Sequence, residues 1–525
     1  MPCLVILASL IGLLIGLSIN KNSSSNNSQL GLFPLQNSST LDETLMYIDA
    51  YYVDTINTDS ITEQAIKQLT TSLDPHSEYI PAKDLQDFNS DFEGSFSGIG
   101  VQFSIQSDTV CVVGVVTGGP SEAAGVMNGD KIIMVDDSVF VGKNINNEKV
   151  MHTLRGEKGT KVKITVKREG TTEPLDYTIT RGDIPVHSVL AKFIIGDNIG
   201  FIKVDKFSST TYDEVFSALT ELKAKGATSY ILDLRSNPGG LMDQAIKICN
   251  EFLERGDVIV SAKGRQYPIS MSAANGLGRF QNVPLAVLID EFSASASEIC
   301  AGAMQDNDRA TIIGRRSFGK GLVQQVFNLK DNSAVKLTVA RYYTPSGRCI
   351  QKPYKLGDQL DYYSELYERY EKGEIYNKDS IKEDSAVYKT KKGRIVHGGG
   401  GIMPDIFIGS DTSYFNTYYK TVINKNYTYQ FAFHYTDKHR AELSAYTTWQ
   451  KLDAYLSQQN IINQFVEYAK AKGVTPKSNE LAQCGKEIER LLRAYIIRNM
   501  LNDEGFYPMY MKDDAVTKKA IEILN

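Results

Sequence analysis

The sequence predicts an α/β core with a small β-rich module ahead of it and helical regions at both ends. Three observations carry this. Between 199 and 340, apolar runs at 200–204, 230–234, 258–261, 285–289 and 311–313 alternate with helical patterns at 212–225, 241–253 and 295–305. That is the rhythm of a largely parallel sheet. From 94 to 167 the texture is instead short β runs, at 110–116 and 131–135, broken by glycine turns such as Gly129-Asp130. Finally, 411–525, with Trp449 and the run 488–500, is helical in period and carries no motif that assigns it a function.

The elements follow in order. Residues 1–19 carry no charge and are largely apolar from Cys3 on, about the shortest stretch that spans a bilayer. No basic n-region and no A-x-A cleavage site accompany them, which favours an uncleaved N-terminal anchor over a removed signal. A polar linker, 20–40, follows. A helical region, 41–92, starts with Leu41, Leu45, Ile48 and Tyr52 at helical spacing and continues with a capping box, Ser60 with Glu63. Leu73-Asp74-Pro75-His76-Ser77 reads as a turn with a structural histidine. In the β-rich module, 93–170, Pro120 to Gly125 forms one short helix closed by glycine. The core occupies 171–350. Residues 351–397 read as an insertion, charged, tyrosine-rich and weakly patterned over 352–392. Gly398 to Gly401 reads as a flexible hinge, and a strand at 405–408 returns to the core within 398–410.

Composition narrows the function. Lys+Arg 57 against Asp+Glu 62 gives a net charge of −5 with no long basic run, which argues against a nucleic-acid partner. Six scattered cysteines without a C-x-x-C pair, and six dispersed histidines, offer no metal-ligand spacing and no disulfide framework, so no metal and no cofactor are implied.

Three segments could carry chemistry. Asp233-Leu234-Arg235-Ser236-Asn237-Pro238-Gly239-Gly240 runs a strand into a glycine turn whose N–H groups could converge on an oxyanion. Ser293-Ala294-Ser295-Ala296-Ser297-Glu298 follows a strand and opens a helix, where free N–H donors and positive potential suit a nucleophile. Helical spacing puts Ser293 and Ser297 on one face and Ser295 on another, without choosing between them. Ser317-Phe318-Gly319-Lys320-Gly321, with Gln324, supplies a lysine able to act as base if burial lowers its pKa. The same stretch mimics a P-loop from Gly314 to Lys320, but Gly321 stands where Ser or Thr is required. It also mimics S-x-x-K of the penicillin-recognising enzymes, without their companion motifs.

With S-A-S-A-S-E-I, Ala301-Gly302-Ala303-Met304-Gln305-Asp306, F-G-K-G-x-x-Q and D-L-R-x-N-P-G-G in this order, the chain resembles the C-terminal processing peptidases, the tail-specific serine proteases, over 41–350 and again 401–408. The resemblance implies a crotonase-like core. It puts the nucleophile on Ser295 and the base on Lys320, 320 − 295 = 25 residues later. Gln324 would orient the lysine, and the oxyanion donors would be the amides of Ala296 and of Gly239 or Gly240. The β-rich module resembles a PDZ domain through Gly98-Ile99-Gly100-Val101, a carboxylate loop, and the A-A-G-V-x-x-G-D-x-I run at 123–132. The expectation is a periplasmic serine endopeptidase, tethered to the inner membrane by its N-terminal segment, that cleaves proteins held by their C-termini. A homo-oligomer is compatible with this sequence. A non-catalytic PDZ adaptor on a peptidase-like fold is the rival, and an acyl-CoA enzyme, suggested by fold alone, leaves the PDZ segment unexplained.

Overall fold

The computed structural model describes residues 39–106, 108–116, 118–168, 170–381 and 386–525, in two units that divide after Ile66. The apolar segment 1–19 and the linker up to residue 38 lie outside the described residues. Among the described residues no helix is long and apolar enough to cross a membrane. The helix Thr40–Tyr51 is closed by a capping box on Ser39 and buries none of its residues. The next helix, Thr58–Thr71, begins earlier than the expected Ser60/Glu63 box. Asn57 Oδ1 accepts the Ser60 N–H (3.0 Å), so Ser60 lies inside the helix. Asparagine caps as well as serine and stands three residues upstream.

Six strands form the central sheet of the larger unit, in the order Val189–Ile195, Ile199–Val204, Ser229–Asp233, Leu285–Ile289, Thr311–Gly314, Ile406–Phe407. The first pair is antiparallel and the others are parallel. These strands read as unbroken apolar runs because both faces are covered. Ile202, Leu232, Val287 and Ile312 pack with the helices Thr211–Ala224, Met242–Phe252 and Ala296–Asp306. Their neighbours Phe201, Ile231, Leu288 and Ile313 pack with Val516, Ala520 and Leu524 of the last helix, Ala515–Leu524. The carboxyl ends of Ser229–Asp233 and Leu285–Ile289 lead into the two turns of the site.

A second sheet places Ala334–Tyr343 between Glu78–Ile80 and Val258–Lys263, with Leu322–Asn328 folded back on it as a hairpin. The β-rich module is a sheet in the order Val101–Gln106, Thr109–Val115, Lys131–Val135, Lys161–Lys167, Leu175–Thr180, with the helix Asn147–Leu154 against it. Toward the C-terminus, the helices from Thr417–Asn424 to Glu480–Met511 enclose a core of their own around Phe431, Leu452, Phe465, Ile488 and Leu492.

Two expectations change. The weakly patterned stretch 352–392 contains the helix Gln359–Glu371 and one strand of a small hairpin, Val387–Lys389 with Ile395–His397. Periodicity hid the helix because its buried positions are Tyr362 and Arg369 rather than aliphatic residues. The glycine run at 398–401 is not a hinge but a close approach: a Cβ on Gly401 would lie 2.7 Å from Ser317 O and 2.8 Å from Ser317 Oγ. Only hydrogen fits there.

Candidate active site

The strand Leu285–Ile289 ends in a tight turn before the helix Ala296–Asp306. Ser293, in the turn, and Ser297, in the first turn of the helix, are fully buried. Ser293 Oγ donates to Leu234 O (2.8 Å) and accepts the Asp290 N–H (2.9 Å), while Ser297 Oγ donates to Asn237 O (3.0 Å). Both serines therefore rivet this turn to the neighbouring one, 234–240. Ser295, the N-cap, is the one of the three that keeps exposed surface. Its backbone is at φ 55°, ψ −112°, a left-handed conformation that costs a non-glycine residue energy and persists where surrounding structure enforces it.

Glu298 does much of that enforcing. Its carboxylate is fully buried and accepts four hydrogen bonds: Ser295 N–H (2.8 Å) and Lys320 N–H (2.8 Å) on Oε2, Gly319 N–H (2.7 Å) and Ser317 Oγ–H (2.5 Å) on Oε1. Burial pushes its carboxyl up to about 7, against the hydrogen bonds that pull it down. From the other side, the buried Tyr342 hydroxyl reaches the carbonyls of both Ser295 and Lys320. One carboxylate and one phenol thus join the serine turn to the lysine loop, each through the backbone of both. The signal for Glu298 was present as S-x-x-E at a helix start. Tyr342, 22 residues beyond Lys320 on another sheet, left none.

Lys320 is partly buried, and its amine has no hydrogen-bond or ion-pair partner among the described residues. Desolvation, then the nearby charge of Lys336, lowers its pKa to about 8, while Glu298, Glu78 and Asp74 oppose the change. His76 lies in the same surroundings. Burial and then the charge of Lys320 lower it to about 3, so it is neutral, and its Nε2 meets the Tyr362 hydroxyl at 3.1 Å. The insertion is docked on this loop: Arg369 donates to Ser317 O (3.1 Å) and Arg316 O (2.7 Å), and Lys352 Nζ sits over the rings of Phe318 and Tyr362. Gln324 Nε2 donates to Thr338 Oγ1 (3.4 Å), which donates to Asp74 Oδ1 (3.0 Å). No hydrogen bond joins Gln324 to the Lys320 amine among the described residues.

The turn 234–240 packs edge-on to the serine. A Cβ on Gly239 (φ 98°) would come within 2.7 Å of Ser295 Cβ and 2.9 Å of Ala296 N. The Gly239 N–H is taken by Asn237 Oδ1 (2.8 Å). The N–H groups of Ala296 and Gly240 have no partner among the described residues. Ser236, at φ 55°, is held by Asp290, which accepts its N–H at 2.8 Å.

In the β-rich module, Gly98 to Val101 join the strand Ser95–Gly98 to the strand Val101–Gln106, which forms the edge of its sheet. Ile99 is buried and Gly100 has φ 76°. Their carbonyls bind Ser121 N–H and Val116 N–H (both 3.0 Å), while their own N–H groups have no partner among the described residues. Beside them lies a cavity of about 290 Å³ lined by Phe96, Ile99, Val101, Val150 and Leu154. Among the described residues no group of three or more His, Cys, Asp or Glu could hold a metal ion.

The family model described as peptidase family S41 matches 198–360, a PDZ domain model matches 97–179, and a family of unknown function matches 418–502. A carboxy-terminal-processing protease of Bartonella bacilliformis is 40% identical over 305 residues, which cover 57% of this chain and 69% of that one. A carboxyl-terminal-processing protease of Synechocystis sp. is 34% identical over 330 residues, covering 61% and 76%. Among solved structures, a photosystem II D1 C-terminal processing protease aligns at 25% identity over 71% of this chain and 88% of that one, with a TM-score of 0.36. The chain belongs to the carboxy-terminal processing proteases of peptidase family S41, serine peptidases, and it carries a PDZ domain.

Proposed function

We propose that this chain is an endopeptidase with a Ser295–Lys320 catalytic pair, which cuts proteins that its PDZ domain holds by their C-terminal tails. One observation supports the pair above others: Glu298 binds the backbone N–H of both residues, and the one lysine in that joint has an unpartnered amine with a lowered pKa. Neutral Lys320 takes the proton of Ser295 Oγ as that oxygen attacks the scissile carbonyl. The tetrahedral oxyanion is met by the Ala296 N–H and by Gly240, or by Gly239 once its amide leaves Asn237. Protonated Lys320 then gives its proton to the leaving amine, and water, deprotonated the same way, releases the acyl group. Gln324 acts on Lys320 through Thr338 and Asp74, whose charge favours the protonated amine. Labelling with a fluorophosphonate tests this reading. Modification at Ser295, lost in Ser295→Ala, is expected. Modification elsewhere, or full peptide cleavage by purified Ser295→Ala, would move the nucleophile off Ser295, and absence of both labelling and cleavage in the parent would leave the adaptor reading in its place.

Tail selection rests on the unpartnered N–H groups of Ile99 and Gly100, the apolar cavity next to them and the open edge of Val101–Gln106, to which a peptide can add as a strand. The substrates are then proteins with a free C-terminus and an apolar last residue. We place the enzyme in the periplasm, held to the inner membrane through 1–19. Release of a soluble, folded protein on deletion of residues 1–29 is the expected result, and a truncated chain that stays in the membrane pellet would refute it.

A further inference from the structure

The turn 234–240 holds the candidate oxyanion donor yet contains two left-handed residues before its end, Ser236 and Gly239. It needs an anchor. At its second residue, Arg235 forms a fork on Asp233: Nε to Oδ1 (3.0 Å) and Oδ2 (3.1 Å), Nη2 to Oδ2 (2.6 Å). Asp233 belongs to the strand that leads into the turn, so this fork fixes the side chain but does not tie the turn to anything else. Ser293, Ser297 and Asp290 hold the turn from the serine side, and a further tie comes from the C-terminal helix. Arg235 Nη1 donates to Asp514 Oδ1 (2.8 Å), and Nη2 contacts Met511 Sδ (3.3 Å) and Thr517 Oγ1 (3.4 Å). Asp514 is in turn the N-cap of Ala515–Leu524, accepting Thr517 N–H (2.8 Å) and Thr517 Oγ–H (2.6 Å) on that same oxygen. That helix covers the far face of the central sheet, opposite the nucleophile helix. It lies beyond both the peptidase-family match and the family of unknown function.

We propose that Asp514 is a positioning residue for catalysis: through Arg235 it fixes the turn that faces Ser295, which makes the last helix part of the catalytic scaffold. This rests on the Ser295 reading and on the turn's role in binding the oxyanion. Arg235 and Asp514 are partly buried, at 13% and 23% side-chain exposure, so the charge-assisted bond is less screened than one on the open surface. The effect falls on the transition state, because the turn's donors meet the oxyanion and not the ground-state peptide.

The decisive variant is Asp514→Asn in the full chain. Asparagine keeps the N-cap, so the helix stays, but it lacks the charge that ties Arg235 to that helix. Active sites are titrated with a fluorophosphonate, and kcat and KM are measured with a fluorogenic peptide. Expected is a roughly tenfold lower kcat per titrated site and a slower rate of labelling, with KM within twofold and Tm within about 2 °C of the parent. Asp514→Ala should lose more kcat and some Tm, and if it fails to fold, Asp514→Asn decides. Were kcat per titrated site of Asp514→Asn within twofold of the parent, with Ser295 of the parent fully labelled, this inference alone would fall. Absence of labelling at Ser295 in the parent would instead remove the reading beneath it, and the inference with it.

Discussion

The serine–lysine joint and the PDZ groove both leave polar groups without a partner among the described residues, but they hold them in opposite ways. In the joint, positions are enforced by buried side chains: Glu298 alone accepts four donors, and Ser293, Ser297 and Tyr342 add bonds to main-chain atoms. In the groove, the atoms left open are backbone N–H groups held by a glycine turn and two main-chain bonds. A site built from side-chain networks is brittle to substitution, since each removal strands a buried partner. A site built from backbone tolerates side-chain changes around it and answers to glycine geometry and to the ligand's own charge. The comparison can be broken at either end.

The largest effect belongs to the joint. Lys320→Ala and Lys320→Arg should each lower kcat/KM by about a thousandfold, within the range for loss of a general base. Arginine is no rescue, because a guanidinium cannot give up its proton at usable pH. Near-normal turnover in Lys320→Arg would reduce the lysine to an electrostatic group. Ser293→Ala and Ser297→Ala, by contrast, should keep activity per folded molecule and lose roughly 1–3 kcal/mol of stability, measured by denaturant unfolding, because each leaves a buried carbonyl short of a donor.

Glu298→Gln comes next. A carboxamide keeps the shape but turns an NH₂ toward two of the four donors. The loss expected is about a hundredfold in kcat, together with roughly 3 kcal/mol of stability. A variant as stable and active as the parent would show that the four bonds do not hold the two loops.

In the groove, the sensitive change lies in the ligand. A peptide with a free C-terminal carboxylate should bind the isolated loop geometry through charge-assisted bonds of about 1.5–3 kcal/mol each. Its C-terminal amide should bind the full chain roughly 10- to 100-fold more weakly. Competition between paired acid and amide peptides measures this, and equal affinities would end the case for tail reading. Gly100→Trp should abolish the preference, since φ 76° and the Ile184 side chain, 3.0 Å from a Cβ there, leave no room. It should leave Ser295 reactive to a small fluorophosphonate.

How much of this the sequence revealed follows the same division. Strand and helix alternation is local, and the run 285–289 matches the strand Leu285–Ile289 residue for residue. The glycine loops are also local, because a positive φ demands a particular residue at a particular place, as at Gly100 and Gly239. The joint is not local. Glu298, Tyr342 and Lys320 come from a helix, a strand of the second sheet and a loop, and no spacing rule relates them. The insertion at 352–392 and the glycines after it differ from expectation for a related reason: Arg369, Tyr362 and Gly401 owe their burial to contacts with 316–318, which are invisible until the chain is folded. Gln324 marks the limit of carrying a role by position, since its amide meets Thr338 and not the lysine.

The smallest effect tests whether Lys320 titrates as its surroundings demand. With a pKa lowered to about 8, kcat/KM should rise with pH and level off with a midpoint near 8. The linkage has the matching sign: between about 8 and the ordinary value of 10.5 the unfolded chain holds a proton that the folded chain has lost, so this group's contribution to stability rises with pH across that window. After desolvation, the next cause of the lowering is Lys336, which is paired with Glu78 and lies over the Phe88 ring. Lys336→Met removes a repelling cation and at once leaves Glu78 unpaired, and both changes favour a protonated Lys320. The midpoint should therefore move up, by about half a unit or ~0.7 kcal/mol. Glu78→Gln removes an attracting carboxylate and unpairs Lys336, so its midpoint should move down, by less, because Glu78 is 49% exposed and screened. His76 stays neutral throughout and contributes no step of its own above about 3. Asp74 and Glu298 face the lysine in both variants and are unchanged, so opposite displacements from one ion pair can come only from its two charges. Midpoints that stay together in both variants would mean that the group titrating in the profile is not Lys320.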